Sequence, residues 1–280
     1  MLATVLVAIL CASVMGGCAA RGATGVGARP QSTGGTAVVI ESTDQRLAAA
    51  ILAEAVRPGA ESHLQVAREY ARLGILDAAY KRTARALKRE PQLPAAHDMM
   101  ARIWRDWGMP ETALVHAHRA LYFAPRSAGV YNTLGTILDA LGRTDDARAA
   151  FVKAFELDST AGWALSNLCY LEFRAGNLAD ARRRCEGAVR ASPALATAHN
   201  NLALTHAAAG DMHGAHEAFL GAGDAATASY NVGIVYLAEG RYAEAATAFQ
   251  QAIDSKPDYT AAKTRAHEAR MKALVAEDRR

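Results

Sequence analysis

Between residues 60 and 259 small, bulky and polar positions recur with one long period. Six glycines, Gly74, Gly108, Gly142, Gly176, Gly210 and Gly240, stand 34, 34, 34, 34 and 30 residues apart. Two alanine series keep the same interval: Ala79, Ala113, Ala147, Ala181, Ala215 and Ala245, and Ala86, Ala120, Ala154, Ala188, Ala222 and Ala252. Within an interval the apolar residues follow the helical spacing i, i+3, i+4, as in Tyr131-Asn132-Thr133-Leu134-Gly135. Pro91, Pro125, Pro193 and Pro257 close four of the intervals, and proline cannot continue a helix. The pattern predicts paired helices. The glycine ends the first helix of each pair, where a positive φ is usual. The alanines let the two helices approach, and bulkier residues fill the space between them. Each such unit buries its face by stacking on its neighbours. The expected fold class is all-α: an α-solenoid of six helical hairpins over 60–93, 94–127, 128–161, 162–195, 196–225 and 226–259.

With the glycine set at repeat position 15, position 7 holds Val66, Met100, Leu134, Leu168, Leu202 and Val232. Position 8 holds Ala67, Ala101, Gly135, Cys169, Ala203 and Gly233, and position 24 holds Thr83, Ala117, Phe151, Cys185, Phe219 and Phe249. With alanine at positions 20 and 27 and proline at 32, this pattern resembles the tetratricopeptide repeat. The resemblance covers residues 60–259 and implies a fold that binds other proteins. Two departures stand out. Ser159 replaces the proline of the third unit, which should soften that helix end modestly. The fifth unit is four residues short, running from Ala222 through Gly223 and Asp224 into Ala225. Its second helix must be clipped or its turn tightened.

The flanks differ in kind. Ser42 or Thr43 can cap a short helix over about 44–57, within an N-terminal segment 42–59, with Leu47, Ile51 and Leu52 inward. Residues 260–277 read as one polar helix, the cap of a C-terminal segment 260–280. Met1–Val14 is apolar and too short for a confident membrane span. Met15-Gly16-Gly17-Cys18 follows and resembles a bacterial lipobox, which implies a signal peptide over 1–17 and lipidation of Cys18; an ordinary cleavable signal is the alternative. Ala19 after the cysteine suggests an outer-membrane destination facing the periplasm. Residues 18–41 are rich in Gly, Ala, Ser and Thr and read as a flexible tether.

Charge and chemistry narrow the function. The net charge is +3, from 31 Lys and Arg against 28 acids, with no long block of one sign, so nucleic acid is not the expected partner. Cys169 and Cys185 occupy positions 8 and 24 of one unit, facing across a hairpin. They either bridge in an oxidising compartment or remain two buried reduced thiols. Of nine histidines, His63, His97 and His199 fall at repeat position 4, a packing slot. His213 and His216 share a helix face, but no third ligand stands at a metal-binding spacing. No nucleophile elbow, phosphate loop or dinucleotide motif is present, and signal, tether, repeats and cap account for the whole length. The expectation is a protein that is not an enzyme, with no cofactor, metal or small-molecule substrate.

In the resembling family the first helices line a concave face through positions 2, 5, 6, 9, 12 and 13. Position 6 is Asn167, Asn201 and Asn231, and a carboxamide both donates and accepts. The series resembles the asparagine ladder of the repeat domain in O-GlcNAc transferases, which implies a grip on an extended peptide. Trp163, Tyr170, Phe173 and Arg174 join it in the fourth unit, with Tyr230 and Ile234 in the sixth. Aromatics beside arginine have the character of interface anchors. The N-terminal groove is more charged, with Arg68, Arg72, Asp98, Arg102, Arg105 and Asp106. No unit has the lysine and asparagine pair of a carboxylate clamp. Asn200 to Gly210, the short Ala-Gly-Asp link, and Ser229 to Pro257 are similar to Tad (Flp) pilus lipoproteins of the TadD type and to pilotin-like type IV pilus lipoproteins. That similarity implies a membrane-tethered scaffold for assembling a pilus or secretion machine, with other envelope proteins as partners. The alternative is a periplasmic carrier, holdase or regulator of cell-wall enzymes using the same groove.

Overall fold

The computed structural model describes residues 44–278. The signal peptide, Cys18, the tether, and the capping candidates Ser42 and Thr43 lie outside the described residues. Among the described residues there are fourteen α-helices, and none is long and apolar enough to cross a membrane. Seven fall in one unit ending at Asp158: α1 (Gln45–Val56), α2 (Ala60–Arg72), α3 (Leu76–Arg89), α4 (Pro94–Asp106), α5 (Pro110–Phe123), α6 (Ala128–Ala140) and α7 (Thr144–Leu157). Seven fall in a second, from Ser159: α8 (Gly162–Arg174), α9 (Leu178–Ala191), α10 (Ala196–Ala208), α11 (Met212–Ala222), α12 (Ala225–Ala238), α13 (Tyr242–Ser255) and α14 (Thr260–Glu277). The fold class is the expected one: all-α, with the helices paired as the hairpins of a repeat solenoid.

The periodic glycine works through its backbone. Gly74 has φ +74°, and the five equivalents lie between +73° and +81°. This left-handed residue lets the Ile75 amide donate to the Tyr70 carbonyl (2.9 Å) and the Gly74 amide to Ala71 (3.0 Å), satisfying carbonyls that the helix end leaves open. A Cβ there would meet nothing within 4 Å, so conformation and not space selects glycine. At position 8 the reason reverses. A Cβ on Gly135 would fall 2.5 Å from the Phe151 ring, so the aromatic at position 24 occupies the volume that glycine vacates.

Helix starts follow local chemistry. Pro94 and Pro110 open α4 and α5, where a missing amide costs nothing. Asp211 and Asp224 cap α11 and α12 by accepting from the Gly214 amide (2.8 Å) and the Thr227 amide (2.7 Å). α7 ends at Leu157 with the same fourteen residues as α9, so Ser159 in place of proline does not shorten it. In the fifth hairpin both expected adjustments occur. α11 has eleven residues where α13 has fourteen, and Gly223 and Asp224 alone join it to α12.

Two expectations for the N-terminal helix are corrected. The cap of α1 is Asp44, whose Oδ1 accepts from the Leu47 amide at 3.0 Å. The Arg72 guanidinium, 2.6 Å away, holds the Asp44 carboxyl below its ordinary range. Leu47 is buried, but Leu52 is 56% exposed. The inward residue on that stretch is Glu54, 7% exposed and held by Arg82 (2.6 Å) and by the His63 ring. A buried carboxylate must keep its partners, so Glu54 sets the rotation of α1 and turns Leu52 outward.

The other position-4 histidines are framework. His97 Nε2 meets the Pro91 carbonyl and His199 Nε2 the Pro193 carbonyl, each at 2.9 Å. A carbonyl only accepts, so Nε2 carries the proton in both rings. Position 4 of one repeat is thereby tied to position 32 of the repeat before it. His63 has no such proline ahead of it and takes Glu54 instead.

Candidate functional site: the grooves of the two units

In the unit from Ser159 the groove is carried by α8, α10, α12 and the start of α14. α8 presents Trp163, Asn167 and Tyr170 half-buried and Arg174 exposed, its guanidinium carbon 5.5 Å from the centre of the Tyr170 ring. At that distance a cation over a ring face is weakly attractive and limits where both side chains go. Phe173 is not a groove residue. It is 2% exposed and packs with Cys169, Ala181 and Cys185, because position 12 here faces the second helix of its own hairpin. Ile234 is buried as well, at 1%.

Cys169 and Cys185 are joined by a disulfide, with a Cα–Cα separation of 5.2 Å, so the hairpin that displays Tyr170 is covalently closed. The carboxamides do not form a uniform ladder. Asn201 Nδ2 donates to both the carbonyl and the hydroxyl of Ser166, each at 3.1 Å, which ties α10 to α8. Asn167 is engaged within the structure too, and Asn231 is half-buried.

Tyr230 lies in a cluster that periodicity alone did not reveal. Its ring centre is 5.5 Å from that of Phe249 and 5.1 Å from that of Tyr259, and its hydroxyl is a partner of Arg265. Burial raises the Tyr259 hydroxyl above its ordinary range, with Tyr230 and Asp224 adding to the shift. Arg265 stands on α14 at the place that position 6 would take in a seventh unit, and that register was the available signal. His213 and His216 line a cavity of about 470 Å³ with Tyr236, Glu244 and Gln251.

In the unit ending at Asp158 most of the charged side chains expected to line a groove meet opposite charge inside the protein. Arg68 pairs with Glu61 (3.0 Å), Arg72 with Asp44 and Glu69 (2.6 and 2.8 Å), and Arg105 with Asp106 and Thr136 (2.6 and 2.7 Å). Asp98 is drawn inward. Burial pushes its carboxyl up, against the pull of Thr133, Arg102, Arg105 and Arg68, and its Oδ1 has no hydrogen-bond partner among the described residues. Behind the groove Tyr80, Trp104 and Trp107 form an aromatic knot with ring centres 5.1–5.8 Å apart. His116 lies 5.8 Å from His97, ring to ring, and is pushed down to about 4 by burial first and by His97 and Arg119 next.

Residues 128–160, and two overlapping stretches at 167–226 and 215–260, match models of the tetratricopeptide repeat. No curated protein matches the chain in sequence. Among solved structures, the fold is similar to a chain of the APC/C hetero-tetramer Cut9-Hcn1, with TM-score 0.64 and 17% identity. That match covers 80% of this chain, which spans 45% of the other. It is also similar to PilW, described as a widely conserved type IV pilus biogenesis factor, with TM-score 0.59, 23% identity and coverage of 73% and 97%. PilF of Pseudomonas aeruginosa gives TM-score 0.57, 18% identity and coverage of 76% and 97%. Tetratricopeptide repeats thus occupy residues 128–160 and 167–260 of an all-α solenoid of paired hairpins, and at these identities the structural likenesses speak to fold alone.

Proposed function

We propose that this protein is a tethered protein-interaction scaffold of the bacterial envelope that helps assemble a pilus or secretion machine. In this reading it is lipid-anchored through Cys18 to the outer membrane and faces the periplasm. It holds an extended segment of an envelope partner, a secretin or another machine component, in the groove of the unit from Ser159. The observation that carries the reading is the pairing of Tyr170 and Arg174 on a hairpin locked by the Cys169–Cys185 disulfide. An aromatic anchor on a rigid support loses little entropy when a partner docks. A disulfide suits an oxidising compartment such as the periplasm. The likeness to PilW and PilF, each spanned over 97% of its length, supports the pilus assignment.

The test places a photo-crosslinking residue at Tyr170 in living cells and identifies the captured protein by mass spectrometry. Capture of one stoichiometric secretin or pilus component is the expected result. A broad set of unrelated envelope proteins would instead indicate a carrier or holdase. No capture from a fully lipidated protein would remove the groove from the mechanism.

A further inference from the structure

In the first two hairpins the second helices turn positions 22, 26 and 29 to solvent, and those positions share one character. On α3 they are Lys81, Arg85 and Lys88, followed by Arg89, and all four are exposed. On α5 they are Val115, Arg119 and Tyr122, with Val115 52% and Tyr122 81% exposed. Equal register in neighbouring hairpins points the two ridges to the same side. The acids of these helices, Asp77 and Glu111, both stand in the first turn, where they favour the helix start and leave the rest of each ridge without negative charge. Of the α3 cations only Arg82 meets a carboxylate, the buried Glu54. Lys81, Arg85, Lys88, Arg89 and Arg119 form no ion pair among the described residues.

Elsewhere the same register is neutralised. On α7 it holds Ala149, Lys153 and Glu156, and the last two pair at 3.0 Å. On α13 it holds Thr247, Gln251 and Asp254. α9 carries Arg182, Arg183, Arg184 and Arg190, but Arg182 meets Glu186 at 3.7 Å and Arg183 meets Asp180. The continuous unpaired ridge is therefore local to α3 and α5, and the net charge of +3 does not report it.

We propose that the outer face of α3 and α5 docks on a bilayer surface bearing anionic phospholipid headgroups. Long cationic side chains spread along a ridge suit a diffuse field of negative headgroups, each raising the affinity by about fivefold. Tyr122 and Val115 share the register of Lys88 and Lys81, so an amphipathic ring and an aliphatic group stand beside the charge. That combination seats at the boundary between headgroup and acyl chain. The choice of lipid also rests on the reading of Cys18 as an acyl anchor. Cys18 and Asp44 are 26 residues apart. That is at most about 90 Å of chain, so an anchored protein keeps its first hairpins within reach of the bilayer. The buried faces of α3 and α5 pack on α2 and α4, so a docked unit turns its first helices away from the membrane.

The test is vesicle flotation with the full-length Cys18→Ser chain, which cannot be lipidated. It should partition onto phosphatidylcholine vesicles containing phosphatidylglycerol, more weakly onto phosphatidylcholine alone, and less as salt is raised. The quadruple variant Lys81→Gln, Arg85→Gln, Lys88→Gln and Arg89→Gln should lose about two orders of magnitude in partition while keeping wild-type helicity. Removing the same charge from α9, by Arg182→Gln, Arg183→Gln, Arg184→Gln and Arg190→Gln, should change partition less than about threefold, since two of those arginines are already paired. Lipid brominated in its acyl chains should quench the fluorescence of Tyr122→Trp more than that of the parent chain. Equal partition onto neutral vesicles would trace the association to the apolar stretch at 1–14 and overturn the proposal. So would partition unchanged in the α3 variant, or lost equally in the α9 variant. A chain of wild-type helicity that binds no vesicle would overturn it as well, leaving an acidic protein or a nucleic acid as the occupant of the ridge. Fatty-acid labelling of the wild-type protein in cells reads Cys18 separately. Labelling without vesicle association removes the ridge and keeps the anchor, and anionic-vesicle association without labelling keeps the ridge and removes the anchor.

Discussion

The two units repeat one hairpin but are held, and made presentable, by different devices. In 44–158 a buried Glu54 clamped by His63 and Arg82 docks the first helix, and arginines along the groove answer carboxylates nearby. In 159–278 a disulfide closes the first hairpin, aromatic contacts join Tyr230 to Phe249 and Tyr259, and the guanidinium of Arg174 lies over the Tyr170 ring. A repeat fixes the spacing of its small and bulky positions and leaves the groove positions open. One scaffold can therefore spend its charges internally in one stretch and display aromatics in another. The proposed binding of an extended partner at 159–278 draws on that display of aromatics, whose truncation is the direct test of it.

The disulfide offers the sharpest way to break the comparison. It closes a loop with a sequence separation of 16. Replacing both cysteines by alanine should cost about 3 kcal/mol of stability, mostly by releasing the unfolded chain. Hydrogen exchange should show the loss across α8 and α9, with protection in α2 to α5 unchanged. Uniform loss through both units would mean that they unfold as one, and that their different devices do not matter to stability.

Arg82→Met tests the other half. Fully buried ion pairs cost about 3–5 kcal/mol when one partner is removed, and Arg82 keeps 23% side-chain exposure, so about 2 kcal/mol is expected. Undocking of α1, read as early exchange of Leu47 and Ala50, should account for most of it. Protection of α1 equal to wild type would show that Glu54 keeps its place without the cation.

A smaller change, in binding and not in folding, follows at the groove. Tyr170→Ala should weaken capture of the partner by about 2 kcal/mol, the scale of an interface anchor, with the melting temperature nearly unchanged. Arg105→Ala in the other unit should leave capture alone, because its guanidinium is already committed to Asp106 and Thr136. Equal losses from the two variants would erase the functional distinction between the grooves.

Much of this architecture was legible because repetition supplies six independent readings of one position. The glycines reported a positive φ, and small residues at position 8 reported the aromatics at position 24, as Gly135 does for Phe151. What repetition did not carry was the side chains whose direction depends on a neighbour that breaks the pattern. Leu52 looks inward by spacing, but Glu54 has partners only when buried, and two residues cannot both take that face of α1. Phe173 belongs to a groove position by register, yet the small Ala181 and the bridged cysteines leave a space beside it that an aromatic fills. Asn201 reads as a ligand rung until Ser166, one helix away, accepts its amide. Tyr230 was expected in the groove, but it packs on Tyr259 at the last position of its own unit and meets Arg265 from a segment that periodicity read as a cap.

The finest difference between the units concerns protons. His116, in the unit ending at Asp158, has a pKa pushed down to about 4 from 6.5, chiefly by burial. In the folded protein the ring stays neutral where the unfolded chain would take up a proton. Between about pH 6.5 and 4 the unfolded state therefore binds more protons, and stability falls as pH falls through that window. His116→Gln should remove this part of the acid sensitivity, measured as a flatter dependence of denaturation midpoint on pH between 7 and about 5. His116 belongs to the α4–α5 hairpin, where the His97 ring lies 5.8 Å away with its Nε2 donating to the Pro91 carbonyl. Asp98, on the same hairpin, acts in the opposite sense. Its carboxyl is raised by burial, so it favours the folded state at low pH and loses that contribution as pH rises through the carboxylate range. The Asp98 window opens upward from 3.8 into that of His116 with the opposite slope, so the double variant His116→Gln with Asp98→Asn should show the flattest profile of all. A profile as steep as wild type in that double variant would place the acid sensitivity outside the α4–α5 hairpin.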